Sequence, residues 1–327
     1  MAKHDLKITT FNVENLFNRY ALLDTPWDER EYEKIVAATG LASIADREGR
    51  LVSYQTTLIQ RSNTAQAILD VAPDILATEE VENLYTLRTF NHQFLDDYFD
   101  RMLLIDGNDP RGIDVGILLK KGLDAEILAV RTHVDDAQPE KSVVRSFNSA
   151  IGYQVRNAIF SRDCLEVDVK FNNKVLTLLV NHFKAQDGKE SSAQRRAAQA
   201  ERVLDLAEAA HKAGKSPIVM GDLNADPTKG RDFDKKSLNV LLKKGANQPL
   251  VDHFPADTWT HYYTSGKEVS RLDYILTGKD LDVKSTQVWR KGLTTKCKQS
   301  NEPRYATIGP EHTEASDHCP TSVVLSI

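Results

Sequence analysis

Strand-like runs that are apolar at almost every position recur along the whole chain, and they restrict its fold more than any other feature. "DILATEEV", "DVGILLK", "KVLTLLVNHF", "SPIVMGDLN" and "TSVVLSI" are the clearest, joined by "LKITTFNV", "NAIFSRDCLEVDVKF" and "RLDYILTG". A strand with one wet face alternates apolar and polar residues, so near-continuous apolar runs predict strands covered on both faces. Asn172 and Asn173 lie between two such runs and suit a two-residue hairpin turn, which makes some neighbours antiparallel. Two amphipathic segments supply cover. Ser192 is placed to cap a helix that carries Ala200, Val203, Leu204 and Ala207 on one face, with Gly214 ending it; Asn63 similarly opens "NTAQAILDVAP", which Pro73 closes. The expectation is an α/β fold with mixed sheets and helices packed outside. With no linker, repeat or low-complexity tract, residues 1–327 read as a single domain. Insertions are expected near 20–61, which is acidic early and helix-prone, and near 284–316, which lacks periodicity.

No apolar run approaches bilayer length and mean hydropathy is −0.42, so membrane insertion is not expected. The opening "MAKHDLKITTFNV" lacks the apolar stretch of a secretory signal, and a cytoplasmic location is expected. The three cysteines, Cys164, Cys297 and Cys319, are an odd number without metal-type spacing, which fits a reducing compartment. A net charge of −5 and a pI near 6.0 argue against avid nucleic-acid binding through overall basic character. They leave room for an enzyme that guides a polyanion along a local basic edge. Lys284, Arg290, Lys291, Lys296, Lys298 and Arg304, set against the single acid Glu302, offer such an edge or simply a solvated loop.

Polar residues cluster where the apolar runs stop. Asn12 follows "ITTF", Glu79 and Glu80 follow "DILAT", Asn181 and His182 follow "LTLLV", and Asp222 and Asn224 follow "PIVMG". Asp273 lies in "RLDYIL", and Asp317 and His318 precede the last run. Each has an ordinary structural reading: a strand-end amide, a turn cap, a core histidine, an Arg271–Asp273 surface ion pair, or an Asx turn ahead of Pro227. A fold that gathered all these ends would instead collect carboxylates, amides and two imidazoles, the makeup of a metal-assisted hydrolytic site. "GDLNADP" is not a calcium loop. Counted from Asp222, the sixth and twelfth places need Gly and Glu, and they hold Pro227 and Phe233.

"TFNVENLF", "DILATEEVEN", "RGIDVGIL", "NHFKA", "GDLNADP", "SRLDYIL" and "SDHCPTSVV", in that order, resemble the endonuclease/exonuclease/phosphatase (DNase-like) superfamily from Phe11 to the end of the chain. The resemblance implies a four-layered α-β-β-α sandwich of two mixed sheets flanked by helices, with a metal-dependent phosphoester hydrolase site at one edge. It implies Glu80 as metal-binding glutamate with Asn12 and Asp317 around the ion. Asp222 would position or deprotonate the attacking water, with Asn224 on the phosphate or that water. His318 would bind phosphate, oriented by Asp273, and His182 would be the second histidine. The family usually has Gln before its metal-binding Glu, whereas Glu79 stands here.

The chemistry suits these residue types. A phosphodiester repels an attacking water, and a hard cation offsets that repulsion and stabilises the leaving oxygen. Mg²⁺ takes oxygen ligands such as Glu80, Asp317 and the Asn12 amide, with Mn²⁺ or Ca²⁺ as substitutes; no Cys or multi-His cluster points to zinc. In an extended segment Asp222 and Asn224 would share a direction. If both imidazoles act protonated, activity falls at alkaline pH. In "RGIDVGIL", Arg111 could reach a phosphate and Asp114 could orient His182, or the motif is only a turn opening a strand; Asn181 is a further substrate-contact candidate. Expected partners are nucleic acid, DNA above all, or a smaller phosphoester such as an inositol phosphate or phospholipid, acted on by a monomer.

Overall fold

The computed structural model of the chain describes residues 5–17, 20–23, 50–53, 56–109, 111–148, 152–243 and 248–327. The helix-prone stretch expected between 24 and 49 lies outside them.

In chain order the strands are β1 (Asp5–Leu16), β2 (Tyr20–Leu23), β3 (Arg50–Ser53), β4 (Ile75–Val81), β5 (Phe99–Leu104), β6 (Asp114–Lys120), β7 (Ala125–Arg131), β8 (Val144–Asn148), β9 (Gly152–Arg156), β10 (Cys164–Phe171), β11 (Lys174–His182), β12 (Ser216–Asp222), β13 (Leu250–Asp252), β14 (His261–Tyr263), β15 (Glu268–Ser270), β16 (Asp273–Gly278), β17 (Asp282–Val288) and β18 (Thr321–Ser326). The helices are α1 (Leu58–Val71), α2 (Leu84–Phe94), α3 (Glu190–Lys212), α4 (Asp232–Lys236) and α5 (Asn239–Leu242). One six-stranded sheet runs β17-β18-β1-β4-β6-β5 and the other β13-β16-β12-β11-β10-β7. Both are mixed: β1 with β4 and β11 with β12 are parallel, and the remaining pairs are antiparallel.

Alternation explains why these strands are apolar throughout. Ile218 and Met220 of β12 enter a core shared with Ile8, Ile75 and Ile117 of the opposite sheet, while Val219 between them joins Ala200, Val203 and Ala207 of α3. Phe11, Leu76 and Leu118 on the far face of the first sheet pack with Ala67, Ile68, Leu87 and Phe90 of α1 and α2. The expected helix–sheet–sheet–helix order follows. Truncating a side chain such as Leu178, fully buried between the sheets, to Ala costs about 2–5 kcal/mol.

Local chemistry moves some expected boundaries. The Asn172–Asn173 turn is as predicted, with Phe171 paired to Lys174 and Asn172 at φ 52°. Helix α1 starts before Asn63, because Thr57 and Gln60 form a reciprocal capping box; Asn63 is buried inside the helix and donates to Thr313 O (2.6 Å). Helix α3 starts at Glu190 rather than at Ser192, with no side-chain cap on Lys189, while Gly214 (φ 75°) follows its end as expected. The irregular segment expected from 284 opens as strand β17. Residues beyond it are tied to α1 by Tyr305 Oη to Asp70, Thr307 Oγ1 to Asn63 and Thr64 Oγ1 to Ala315 O, which fixes the approach to Asp317 and His318. Its cations are engaged internally: Lys284 pairs with Asp5, Lys296 with Glu311, Arg290 stacks 4.2 Å over Trp259, and Lys298 and Arg304 donate to backbone carbonyls. All three cysteines are buried thiols, and no described helix is long and apolar enough to cross a membrane.

Candidate active site

The strands that carry the expected residues end together at one edge of the two sheets. Adjacent bulges aim the acids. In β1 the pairing with β4 slips between Asn12 and Leu16, and in β4 the pairing with β6 slips between Glu79 and Val81. Glu14 (φ 48°), Asn15 (φ 60°) and Glu80 (φ 64°) take left-handed backbone there, a cost of about 1–3 kcal/mol each that is found where a side chain must be redirected. The bulge separates the two neighbouring glutamates. Glu79 is fully buried, accepts from Thr10 Oγ1 (2.7 Å) and leaves Oε2 without a partner. Burial pushes its carboxyl well above the usual range, which favours the protonated form. Glu80 turns outward and lines the cavity, with Oε1 3.8 Å from His182 Nε2.

On the second sheet, β11 and β12 run parallel with His182 opposite Asp222, and Asp222 in turn faces Asp273 of β16. This register needs Gly221. At φ 130° its backbone lies so near β11 that a Cβ would sit 1.9 Å from Asn181 O. Asp222 Oδ1 accepts from the Asn224 N–H (2.8 Å), and Oδ2 accepts from Asn224 Nδ2 (3.0 Å) and Asn12 Nδ2 (3.1 Å). Asn224 therefore reaches Asp222 through an Asx turn at φ 52°, not through the strand alternation expected. Asp226 shapes the same turn, accepting from Thr228 N and from Arg271 N. Burial, with Asp273 adding to it and His318 opposing, raises the Asp222 carboxyl to about 7.

His318 Nδ1 donates to both oxygens of Asp273 (3.1 and 2.9 Å), and its Nε2 lies 3.8 Å from both Asp222 and Asp317. Burial opposes charge on this ring, but Asp273 and Asp222 outweigh it and hold the imidazole well above its ordinary value. Arg271 does not pair with Asp273; it forms a bidentate pair with Asp252 (2.7 and 2.8 Å). His182 is pushed the other way. Its Nε2 is 3.4 Å from Asp222 Oδ2, yet burial, then Arg162 and His318, hold it well below the histidine range. Its buried Nδ1 has no partner, and Asp114 does not supply one: that carboxylate accepts from Gly107 N (2.7 Å) on its own loop. Asn181 is also misplaced by the sequence reading. It is fully buried and donates to Leu179 O (2.9 Å), away from the cavity, because successive residues of β11 face opposite ways. Arg111 lines the cavity rim while paired to Asp109 (2.9 and 3.0 Å).

Three residues of the site were missed. Arg162 is buried, lines the cavity, and forms an ion pair with Asp109 (3.0 Å) while donating to Phe183 O (2.7 Å). His261, in "TWTHYY", sits with Nε2 3.5 Å from Asp317 Oδ2. Glu14 accepts from Asp317 N (2.9 Å). Only Glu14, two residues after Asn12, carried a sequence signal.

The donor set fits a divalent cation. Burial first, and Asp317 second, raise both Glu80 and Glu14, the latter to about 9, so the acids crowd one another in a way a cation would relieve. Asp317 itself stays below the usual range because His261 and His318 outweigh burial. Among the described residues, His261, Asp317 and His318 also have donor atoms within 4.8 Å of one another, as do Asp222, Asp273 and His318.

Around these groups lies a cavity of about 540 Å³ walled by Glu80, Arg162, His182, Asp222, Lys229 and His318. No curated protein sequence matches the chain. Solved structures with the same fold include the human Nocturnin catalytic domain with bound sulfate (16% identity, TM-score 0.56, covering 99% of this chain and 97% of that one). They also include a Bacteroides thetaiotaomicron mannosyl-6-phosphatase (16%, 0.56, 98% and 100%) and an endonuclease/exonuclease/phosphatase family protein of that organism (16%, 0.57, 99% and 98%). The sequence model of one family matches residues 10–318, and the chain belongs to that family, the Endonuclease/Exonuclease/phosphatase family of metal-dependent phosphoester hydrolases.

Proposed function

We propose that the protein hydrolyses nucleic-acid phosphodiester bonds, those of DNA in particular, by in-line attack of an activated water. The observation that carries the hydrolytic chemistry is the pair Asp222 and His318: a carboxyl raised to about 7 and an imidazole held well above its ordinary value, 3.8 Å apart on one cavity wall. Environments that push two neighbouring groups apart in this way assign a base and an acid. Asp222, aimed by the amides of Asn12 and Asn224, takes the proton of the water. His318 donates through Nε2 to a phosphate oxygen, with Asp273 fixing its ring. His182 contributes a donor, and Arg162 and Arg111 attract the anion.

Glu80, Asp317 and Asn12 would hold the cation, Mg²⁺ by the hardness of their oxygens, with Mn²⁺ or Ca²⁺ as substitutes. When bound, it supplies positive charge that offsets the phosphate's and stabilises the leaving oxygen. A second reading, hydrolysis of a small phosphoester, draws support from the cavity of about 540 Å³, which is the size of a small-molecule site, and from the phosphatase that shares the fold. Plasmid and oligonucleotide DNA incubated with Mg²⁺ or Mn²⁺ test the first reading, with EDTA-sensitive cleavage expected. If neither DNA is cut while sugar or inositol phosphates are turned over, the second reading replaces it.

A further inference from the structure

We propose that His261, Asp317 and His318 form a site for a transition-metal ion such as Zn²⁺ or Co²⁺, whose occupation shuts down hydrolysis. His261 Nε2 lies 3.5 Å from Asp317 Oδ2, His318 Nε2 lies 3.8 Å from Asp317 Oδ1, and the two rings stand 4.6 Å apart. Tetrahedral zinc, with ligands about 2.1 Å away, sets neighbouring donors roughly 3.4 Å apart, and one donor atom from each of the three residues already lies within 4.8 Å of the other two, so an ion can draw them together.

The outer contacts match as well. A metal-binding imidazole normally has its other nitrogen held by a hydrogen bond, which fixes the ring and its tautomer. Here both rings satisfy that condition: His261 Nδ1 meets Ser270 Oγ (3.1 Å) and His318 Nδ1 meets Asp273 (2.9 Å). Each Nε2 is left on the Asp317 side. Two imidazoles and one carboxylate prefer zinc or cobalt to magnesium, which takes oxygen ligands. The other close group, Asp222, Asp273 and His318, is unsuited, because a cation there would break the His318–Asp273 and Thr260–Asp273 bonds.

The bound ion coordinates Nε2 of His318 and displaces its proton to solvent. It also engages Asp317. His318 can then no longer donate to phosphate and Asp317 no longer serves the magnesium site, so zinc opposes magnesium-supported turnover. The site shares residues with the hydrolytic reading, but its test is binding, and a failure of the DNA assay leaves it standing.

Metal-stripped protein is titrated with ZnCl₂ by calorimetry and with Co²⁺ by visible absorption. One ion per chain and the intense bands of tetrahedral cobalt are expected. His261→Ala should abolish those bands, and Ser270→Ala, which removes only the outer contact, should weaken Zn²⁺ binding by about 10–100-fold. Thermal melts without metal establish that both variants fold. Where hydrolysis is measurable, Zn²⁺ inhibition should lessen in both. A wild-type protein that takes up no stoichiometric Zn²⁺, or a folded His261→Ala variant that binds it as tightly as wild type, overturns the proposal.

Discussion

Replacing Asp273 by Asn gives the sharpest test of the Asp222–His318 arrangement, because the hydrogen-bond inventory around Asp273 is closed. Thr260 Oγ1 accepts from the N–H groups of Leu272 (3.1 Å) and Asp273 (3.0 Å) and donates its one proton to Asp273 Oδ2 (2.6 Å). The other claim on the carboxylate is His318 Nδ1–H. Both partners are donors, and both need acceptors. An Asn oxygen in the Oδ2 position can still accept from both Thr260 and His318, but its NH₂ then replaces Oδ1, facing the His318 Nδ1–H with no acceptor of its own. A buried donor is stranded, at about 1–3 kcal/mol, and the charge-assisted bond to the imidazolium, about 1.5–3 kcal/mol, is weakened or lost. The expected loss of stability in urea is therefore roughly 2–5 kcal/mol.

Catalysis should suffer through His318. Without Asp273 the imidazole drops back toward its ordinary value, and kcat for a nitrophenyl phosphodiester with Mg²⁺ should fall by about 10²–10⁴-fold. The pH–rate profile adds a readout that unfolding does not mimic. Wild type should stay active well above the histidine range, because His318 keeps its proton there, whereas the variant should lose its residual activity as pH passes through that range. A variant with kcat within threefold of wild type, or with an unmoved alkaline limb, would refute the assignment of His318 as the protonated donor.

Other outcomes follow from the same geometry. Glu79→Gln should leave kcat within a few-fold, while Glu80→Gln should lower it by about 10²-fold or more, because only Glu80 faces the cavity. The buried Glu79 must take up a proton on folding, so wild-type stability falls as pH rises above the ordinary glutamate range; that component should be missing from the Gln variant in urea melts at pH 5 and 8. Gly221→Ala should cost at least about 3 kcal/mol, measured by denaturation, since its Cβ would overlap Asn181 O at 1.9 Å. His133 is held between Asp136 (3.0 Å) and Glu166 (2.8 Å), which outweigh burial and raise it to about 9. Its contribution, about 1–3 kcal/mol, is present in full below pH 6.5 and lost as pH rises through 9, so His133→Ala should flatten alkaline melts.

The sequence by itself determined the layers and most of the chemistry. Strands apolar on both faces have to be covered on both faces, whatever their order, and polar side chains gathered where apolar runs stop mark one edge of the sheets, which is why Asn12, Glu80, His182, Asp222 and His318 were legible. Tertiary structure decided what depends on direction and on surroundings. Whether Glu79 or Glu80 faces the cavity turns on a bulge of one residue, and a shift of one residue reverses a strand's faces. Asn181 was lost to the core for the same reason. His182 and His318 read alike as residues in a string, yet they are pushed in opposite directions, because burial and then Arg162 lower the first while Asp273 and Asp222 outweigh burial and raise the second. Arg162 and His261 lie far along the chain from the groups they serve, and charge acts through space over a few ångströms regardless of the sequence between.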